Sequence, residues 1–244
     1  MSNQVATMSL DMTDPFPIKI EEMEFNKISF FVGLNGTGKS FLLKQNFLMS
    51  YAITGYYLSV ENGVPVKIED LLNFALQNTF SEPDFNGTIE ASYTNGLRLS
   101  YTMENGVVKE ALLVENGEEV TSADVPFVKF LSAEMRTFDD ISRYLKLRKR
   151  VSGVEGMPNM EELLKDYRLY DVLYLESLIN NCPIKFTETA FANFDFPEEK
   201  TPVWLEVDLD KTDFYVTYKD GAKEATTRLG KGHQSLINMI ATNS

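Results

Sequence analysis

Residues 33–40 read Gly-Leu-Asn-Gly-Thr-Gly-Lys-Ser, a complete G-x-x-x-x-G-K-S run, with Ile-Ser-Phe-Phe-Val at 28–32 before it and a helical pattern from Phe41 after it. Glycines at that spacing let a tight turn bring successive backbone N–H groups onto one point. The positive end of the following helix adds to them, and the group such a point holds is a polyphosphate. Gly33, Gly36 and Gly38 would permit the backbone path. The N–H groups from Asn35 through Thr37 to Ser40 would ring the β-phosphate, Lys39 would reach the β- and γ-oxygens, and Ser40 would ligate Mg²⁺ through its hydroxyl. A nucleoside triphosphate with Mg²⁺ is the first ligand these residues propose.

Other chemistry-bearing residues carry less. Arg143, Lys146, Arg148, Lys149 and Arg150 form the one basic run. Contact with nucleic acid or phosphate is one reading of it, and a solvated helix face is the other and the weightier. His233, the sole histidine, falls at a helix opening that disfavours its charged form, which suits packing or a neutral contact to a partner's nucleotide. Arg136 suits a phosphate contact or an ion pair equally. Phe25, Phe30 and Phe31 read as core, with Phe16 or Phe25 also able to stack on adenine, and Gln77 is too poorly placed to nominate as a Mg²⁺-linked glutamine.

The elements that must hold these residues follow from pattern. Residues 1–14 are polar and Met-rich and read as a loose terminus, punctuated by Pro15 and Pro17. Residues 18–25 alternate imperfectly and, with 28–32, read as a hairpin feeding the phosphate loop. Helices are expected over 39–51 and, more weakly, 68–77. Short β-type runs at 87–93, 97–103 and 107–114 are separated by Asn-Gly pairs at 95–96, 105–106 and 116–117, a strong signal for an antiparallel meander. Residues 127–131 read as a further strand, 137–150 and 160–181 as helices joined through 153–158, 203–208 and 213–218 as a second hairpin, and 233–241 as a closing helix. There is no internal repeat and no sustained heptad.

The chain has 244 residues, 43% of them hydrophobic, which suffices for one sizeable core, and the expectation is a single domain over 1–244 with a helical insertion over about 137–184. With 23 Lys and Arg against 36 Asp and Glu, a net charge of −13 opposes a surface that grips nucleic acid as a whole, while leaving room for a local basic patch. One cysteine, Cys182, excludes an intramolecular disulfide framework. No apolar stretch is long enough for a membrane span and the N-terminus lacks a signal-peptide layout, so a cytoplasmic location fits best.

A phosphate loop alone does not choose among kinases, GTPases and ATPases. No Asn-Lys-x-Asp guanine reader is found downstream, and an antiparallel meander after the first helix is unlike the compact parallel pattern of small-molecule kinases. The hairpin into Phe-Phe-Val-Gly-Leu-Asn-Gly-Thr-Gly-Lys-Ser at 30–40 resembles the ABC-type AAA ATPase heads of the SMC, RecF and OLD-like groups. Phe-Leu-Ser-Ala-Glu-Met-Arg at 130–136 is similar, with an extra Met135, to the strand-end (Pro/Ser)-Ala-Glu-x-Arg of OLD-related ATPases. Leu-Gly-Lys-Gly-His-Gln-Ser-Leu-Ile-Asn-Met-Ile at 229–240 resembles the family signature, with Gly230 where a Ser is common. The resemblance implies an α/β P-loop NTPase fold: an ATP-binding lobe with an antiparallel β subdomain and an inserted helical segment. It also implies that two heads sandwich ATP, so that Gly230, Gly232 and His233 would meet the γ-phosphate held by a second head.

Members of that family place an apolar strand ending in Asp-Glu after the signature, for which 241–244 leave no room. Two earlier runs do not replace it: Asp208 closes an alternating hairpin strand, and Glu176 has helical flanks and reads as a solvated helix residue. The expectation is an ATP- and Mg²⁺-binding lobe incomplete at its C-terminus. It would engage a second copy or a partner ATPase subunit, with carboxylates for hydrolysis supplied from elsewhere. A non-hydrolytic decoy or regulator of a larger ATPase complex, as in phage–host conflict, is the alternative, and a P-loop kinase the third reading.

Overall fold

The computed structural model describes residues 5–14, 17–25, 38–115, 118–119, 137–152, 158–194 and 196–242. The fold is mixed α/β with antiparallel sheets, and the chain divides into two compact units, Met1–Phe130 and Leu131–Ser244.

The first unit holds β1 (Val5–Asp14), β2 (Ile18–Glu24), α1 (Lys39–Glu61), α2 (Ile68–Thr79), β3 (Asn86–Tyr93), β4 (Leu97–Glu104), β5 (Val107–Glu115) and β6 (Glu118–Glu119). Its strands form one sheet in the order β2-β1-β3-β4-β5-β6, every neighbour antiparallel. The meander runs as the Asn-Gly pairs predict. Asn105 and Gly106 both have positive φ, 50° and 68°, the conformation that two-residue hairpin turns demand. The pair at 116–117 lies outside the described residues.

The terminus expected to be loose is instead a ten-residue strand in the body of the sheet. Met8, Leu10 and Met12 alternate with polar Ser9, Asp11 and Thr13 and are at most 4% exposed, with Met8 opposite Ala91 and Leu10 opposite Ile89. Burial of that one face orders the strand whatever the modest β preference of methionine. The described partner of β2 is therefore β1. Residues 28–32, expected to pair with 18–25, lie outside the described residues.

Helix α1 runs ten residues beyond the expected 51. Gly55 and the β-branched residues near it weaken its pattern, but a Cβ at Gly55 would sit 3.3 Å from Leu71, so the glycine lets α2 pack closely. Both helices carry apolar faces into the unit's core. The Tyr101 hydroxyl donates to Gln45 Oε1 at 2.5 Å, tying α1 to β4 at a fully buried pair.

The second unit holds α3 (Phe138–Val151), α4 (Met160–Asp166), α5 (Leu169–Asn181), β7 (Ile184–Lys185), β8 (Pro202–Asp208), β9 (Asp213–Tyr218), β10 (Lys223–Ala225) and α6 (Lys231–Thr242), with a four-stranded antiparallel sheet ordered β10-β9-β8-β7. Phe138, Tyr144, Leu175, Leu205, Phe214 and Ile237 meet in its core. The single helix expected over 160–181 is two. Tyr167 and Arg168 are extended, with ψ of 154° and 152°, and the Tyr167 ring packs edge-on against Tyr144 at 5.1 Å. The strand expected at 127–131 lies outside the described residues, as do 153–157 of the expected joint.

Candidate functional site

Of the phosphate-loop candidates, Gly33, Asn35, Gly36 and Thr37 lie outside the described residues, whereas Gly38, Lys39 and Ser40 are in place at the start of α1. Gly38 caps the helix in the left-handed region, with φ 80° and ψ 4°, a conformation that a residue with a Cβ adopts only at a cost. A Cβ there would also lie 2.6 Å from Ile18 Cδ1. Lys39 and Ser40 form the first turn, which contains no acidic residue, and no side chain caps it. The first helical bond runs from Leu42 N–H to the Gly38 carbonyl at 3.0 Å. The N–H groups before Leu42 have no acceptor inside the helix, so this 23-residue helix directs its electropositive end to Lys39 and Ser40, with no side-chain cap among the described residues.

Beside that end lies a small apolar recess lined by Met12, Asp14, Ile18, Phe41 and Phe85. Three separate segments build it: the facing ends of β1 and β2, the first turn of α1, and the residue before β3. Phe41, Phe80 and Phe85 form an aromatic cluster behind it, with Phe41 and Phe85 centroids 5.0 Å apart at 64°. Nothing in the sequence pattern marks these residues, because they converge only through the fold.

In the second unit Gly230 directly precedes α6, and Gly232 and His233 occupy its first turn, all three exposed. The helix begins at Lys231, two residues before the expected start. Gln234 N–H bonds the Gly230 carbonyl at 3.1 Å, and Gln234 Nε2 bonds the Leu229 carbonyl at 2.9 Å, fixing the entry of the chain. A Cβ added to Gly232 would meet nothing, and its φ lies outside the left-handed region. The fold itself gives no reason for a glycine there. His233 packs edge-on against Phe196 at 5.3 Å and borders a cleft of about 220 Å³ shared with Lys200, Tyr218 and Leu229.

The weaker candidates resolve into structural roles. Arg148 does not belong to a solvated face: it is 9% exposed, and its Nε and Nη2 donate to Glu176 Oε1 and Oε2 at 2.8 and 3.1 Å. Glu176 is correspondingly not a solvated helix residue, since it also accepts from the Tyr144 hydroxyl at 2.6 Å. Glu176 of α5 thus joins two residues of α3, the Tyr144 hydroxyl and the Arg148 guanidinium. Burial and that bond push the Tyr144 hydroxyl above its ordinary range. Arg143 pairs with Asp140 and Lys149 with Asp210, which leaves exposed Lys146 and Arg150 as the members of the basic run outside these ion pairs. Asp208 caps a turn: its Oδ1 accepts from the N–H groups of Asp210 and Lys211, which with the Lys211 ammonium hold its carboxyl below its usual range. Gln77 Nε2 is spent on the Gly106 carbonyl, and Phe25 N–H bonds Ala6. Phe16, Phe30, Phe31 and Arg136 lie outside the described residues.

Among the described residues no group of three or more His, Cys, Asp or Glu is placed to hold a metal by itself, and no helix is long and apolar enough to cross a membrane. Ser40 is one hydroxyl at a helix end, which fits a Mg²⁺ whose other ligands come from phosphate oxygens and water. Comparison with protein-family models, curated proteins and solved structures finds no match to this chain.

Proposed function

We propose that residues 33–40 bind the triphosphate of ATP, with Lys39 on the β- and γ-oxygens and Ser40 on Mg²⁺, and that the chain is an ABC/SMC-like P-loop lobe of the cytoplasm. The bound nucleotide brings it onto a second head, either another copy or a partner ATPase subunit. Gly230, Gly232 and the N–H groups opening the His233 helix then face the γ-phosphate held by that head.

The observation that carries the proposal is the junction at Gly38: a left-handed glycine hands the G-x-x-x-x-G-K-S run to a long helix whose first turn begins with Lys39 and Ser40 and holds no acidic residue. A second support is Gly232, which neither backbone strain nor internal packing requires, and which keeps the start of α6 accessible to close approach.

Light scattering with and without MgATP tests the engagement. The mass of the wild-type protein rises to that of a dimer only with MgATP, or with MgATP and its partner subunit, and Lys39→Ala stays monomeric. A wild-type protein that binds ATP but never associates under either condition contradicts the proposal.

A further inference from the structure

The cleft that His233 borders lies wholly within the second unit, and phosphate chemistry gives it no use. Its floor and walls are largely apolar and held in place. Ile237 is 1% exposed and Tyr218 8%, and the Phe196 ring stands edge-on to both Phe191 and His233, with centroids 5.5 and 5.3 Å away. A volume of about 220 Å³ equals the liquid volume of about seven waters, which is room for one long side chain and too little for a nucleoside.

Two charged residues line the cleft with unequal freedom. Lys200 Nζ donates to Asp220 at 2.7 Å and lies 5.7 Å from the centre of the Tyr218 ring, so that cation is already neutralised. Glu224, half-buried on β10, makes no ion pair or side-chain hydrogen bond among the described residues. After burial, it is Glu224 and then Asp220 that push the Tyr218 hydroxyl up, so the field in the cleft is negative. An apolar trough ending at an unneutralised carboxylate is complementary to a cation on an apolar stem. The planar guanidinium, weakly hydrated and able to stack on aromatic rings, suits it better than an ammonium.

We infer that this cleft receives one arginine side chain of a partner protein, its stem along Ile237 and Leu229 and its guanidinium bonded to the Glu224 carboxylate. The positive end of α6 lies on the His233 side, which directs the charged head to Glu224. The contact uses no residue of the phosphate loop and holds whether or not ATP binds.

His233 is the only histidine, so its ring Cε1–H gives one isolated NMR signal at the cleft. The full chain is titrated at fixed pH and ionic strength with N-acetyl-arginine methylamide and with its citrulline analogue, which has the same shape without the charge. In the wild-type protein the arginine amide shifts the signal saturably at about millimolar concentration. It binds about fivefold to tenfold more tightly than the citrulline amide, the difference between a charge-assisted and a neutral hydrogen bond. Glu224→Gln binds the two equally, while Glu224→Asp, which keeps the charge, retains part of the preference. Lys200→Gln removes a neighbouring cation and frees Asp220, so it binds the arginine amide at least as tightly as wild type. Equal binding of the two probes by the wild-type protein, a preference that survives Glu224→Gln, or weaker arginine binding by Lys200→Gln overturns the inference, as does the absence of any saturable shift. Methyl signals in the same spectra check that each variant keeps the wild-type fold.

Discussion

Two glycines at two helix openings should respond to alanine in opposite ways. At Gly232 the φ is compatible with any residue and an added Cβ meets nothing, so Gly232→Ala removes conformational freedom from the unfolded chain and improves helix propensity in the first turn of α6. The expected gain is about 0.5–1 kcal/mol, which at this chain length raises the melting temperature by about 1–4 °C. At Gly38 the φ of 80° costs a residue with a Cβ about 1–2 kcal/mol, and Ile18 Cδ1, 2.6 Å from the Cβ position, must also swing aside. Gly38→Ala therefore lowers the melting temperature by about 2–8 °C. Scanning calorimetry of the two variants without nucleotide reads both shifts. If Gly232 is a glycine because another head's nucleotide approaches its backbone, Gly232→Ala is the more stable protein yet associates at least about tenfold more weakly with MgATP, its own ATP affinity unchanged. Destabilisation by Gly232→Ala would show that the fold itself needs the glycine. Stabilisation with normal association would refute close approach as its reason.

The Arg148–Glu176 pair, with side chains 11% and 16% exposed, predicts a non-additive pattern in urea unfolding. Glu176→Ala strands a mostly buried guanidinium and costs about 3 kcal/mol, whereas the double substitution Arg148→Met with Glu176→Leu costs about 1 kcal/mol or less, and a single-variant cost below about 0.5 kcal/mol would contradict the burial. Cys182 gives a pH dependence: burial pushes its thiol up to about 12, so the folded state keeps the proton after the unfolded chain has released it. Its contribution to stability is then whole below the usual thiol pKa and falls as pH rises from about 9 to 12. Cys182→Ala should lose less melting temperature than wild type between pH 8 and pH 11, and native Cys182 should react slowly with Ellman's reagent at pH 8 and quickly in denaturant.

Legibility in the sequence followed the locality of the cause. Asn105-Gly106 marks its hairpin because the turn conformation is set by those two residues alone, and Gly38-Lys39-Ser40 marks a helix opening for the same reason. Met8, Leu10 and Met12 carry a weaker local signal. Their alternation is clean but short, methionine has no strong β preference, and what orders them is a sheet neighbour about eighty residues away in sequence, as in the pair of Met8 with Ala91. By helical period Glu176 reads as a surface residue, and only the contacts of α5 with α3 bring it to Arg148 and Tyr144. Gly55 interrupts the pattern of α1 while serving the contact with Leu71. The recess of Met12, Asp14, Ile18, Phe41 and Phe85 joins three distant segments and has no one-dimensional signature.

The central claim, that residues 33–40 hold ATP with Mg²⁺, is tested most directly by calorimetric titration of MgATP into the wild-type chain and into Lys39→Ala. Lys39 sits in the first turn of α1, where alanine keeps the helix propensity, and circular dichroism of the variant checks that its fold is retained. The account predicts one saturable site in the wild-type protein, weakened by removal of Mg²⁺ and reduced at least about tenfold by Lys39→Ala, the loss of a charge-assisted contact. No heat of binding at millimolar MgATP, or equal binding by the two proteins, would contradict it.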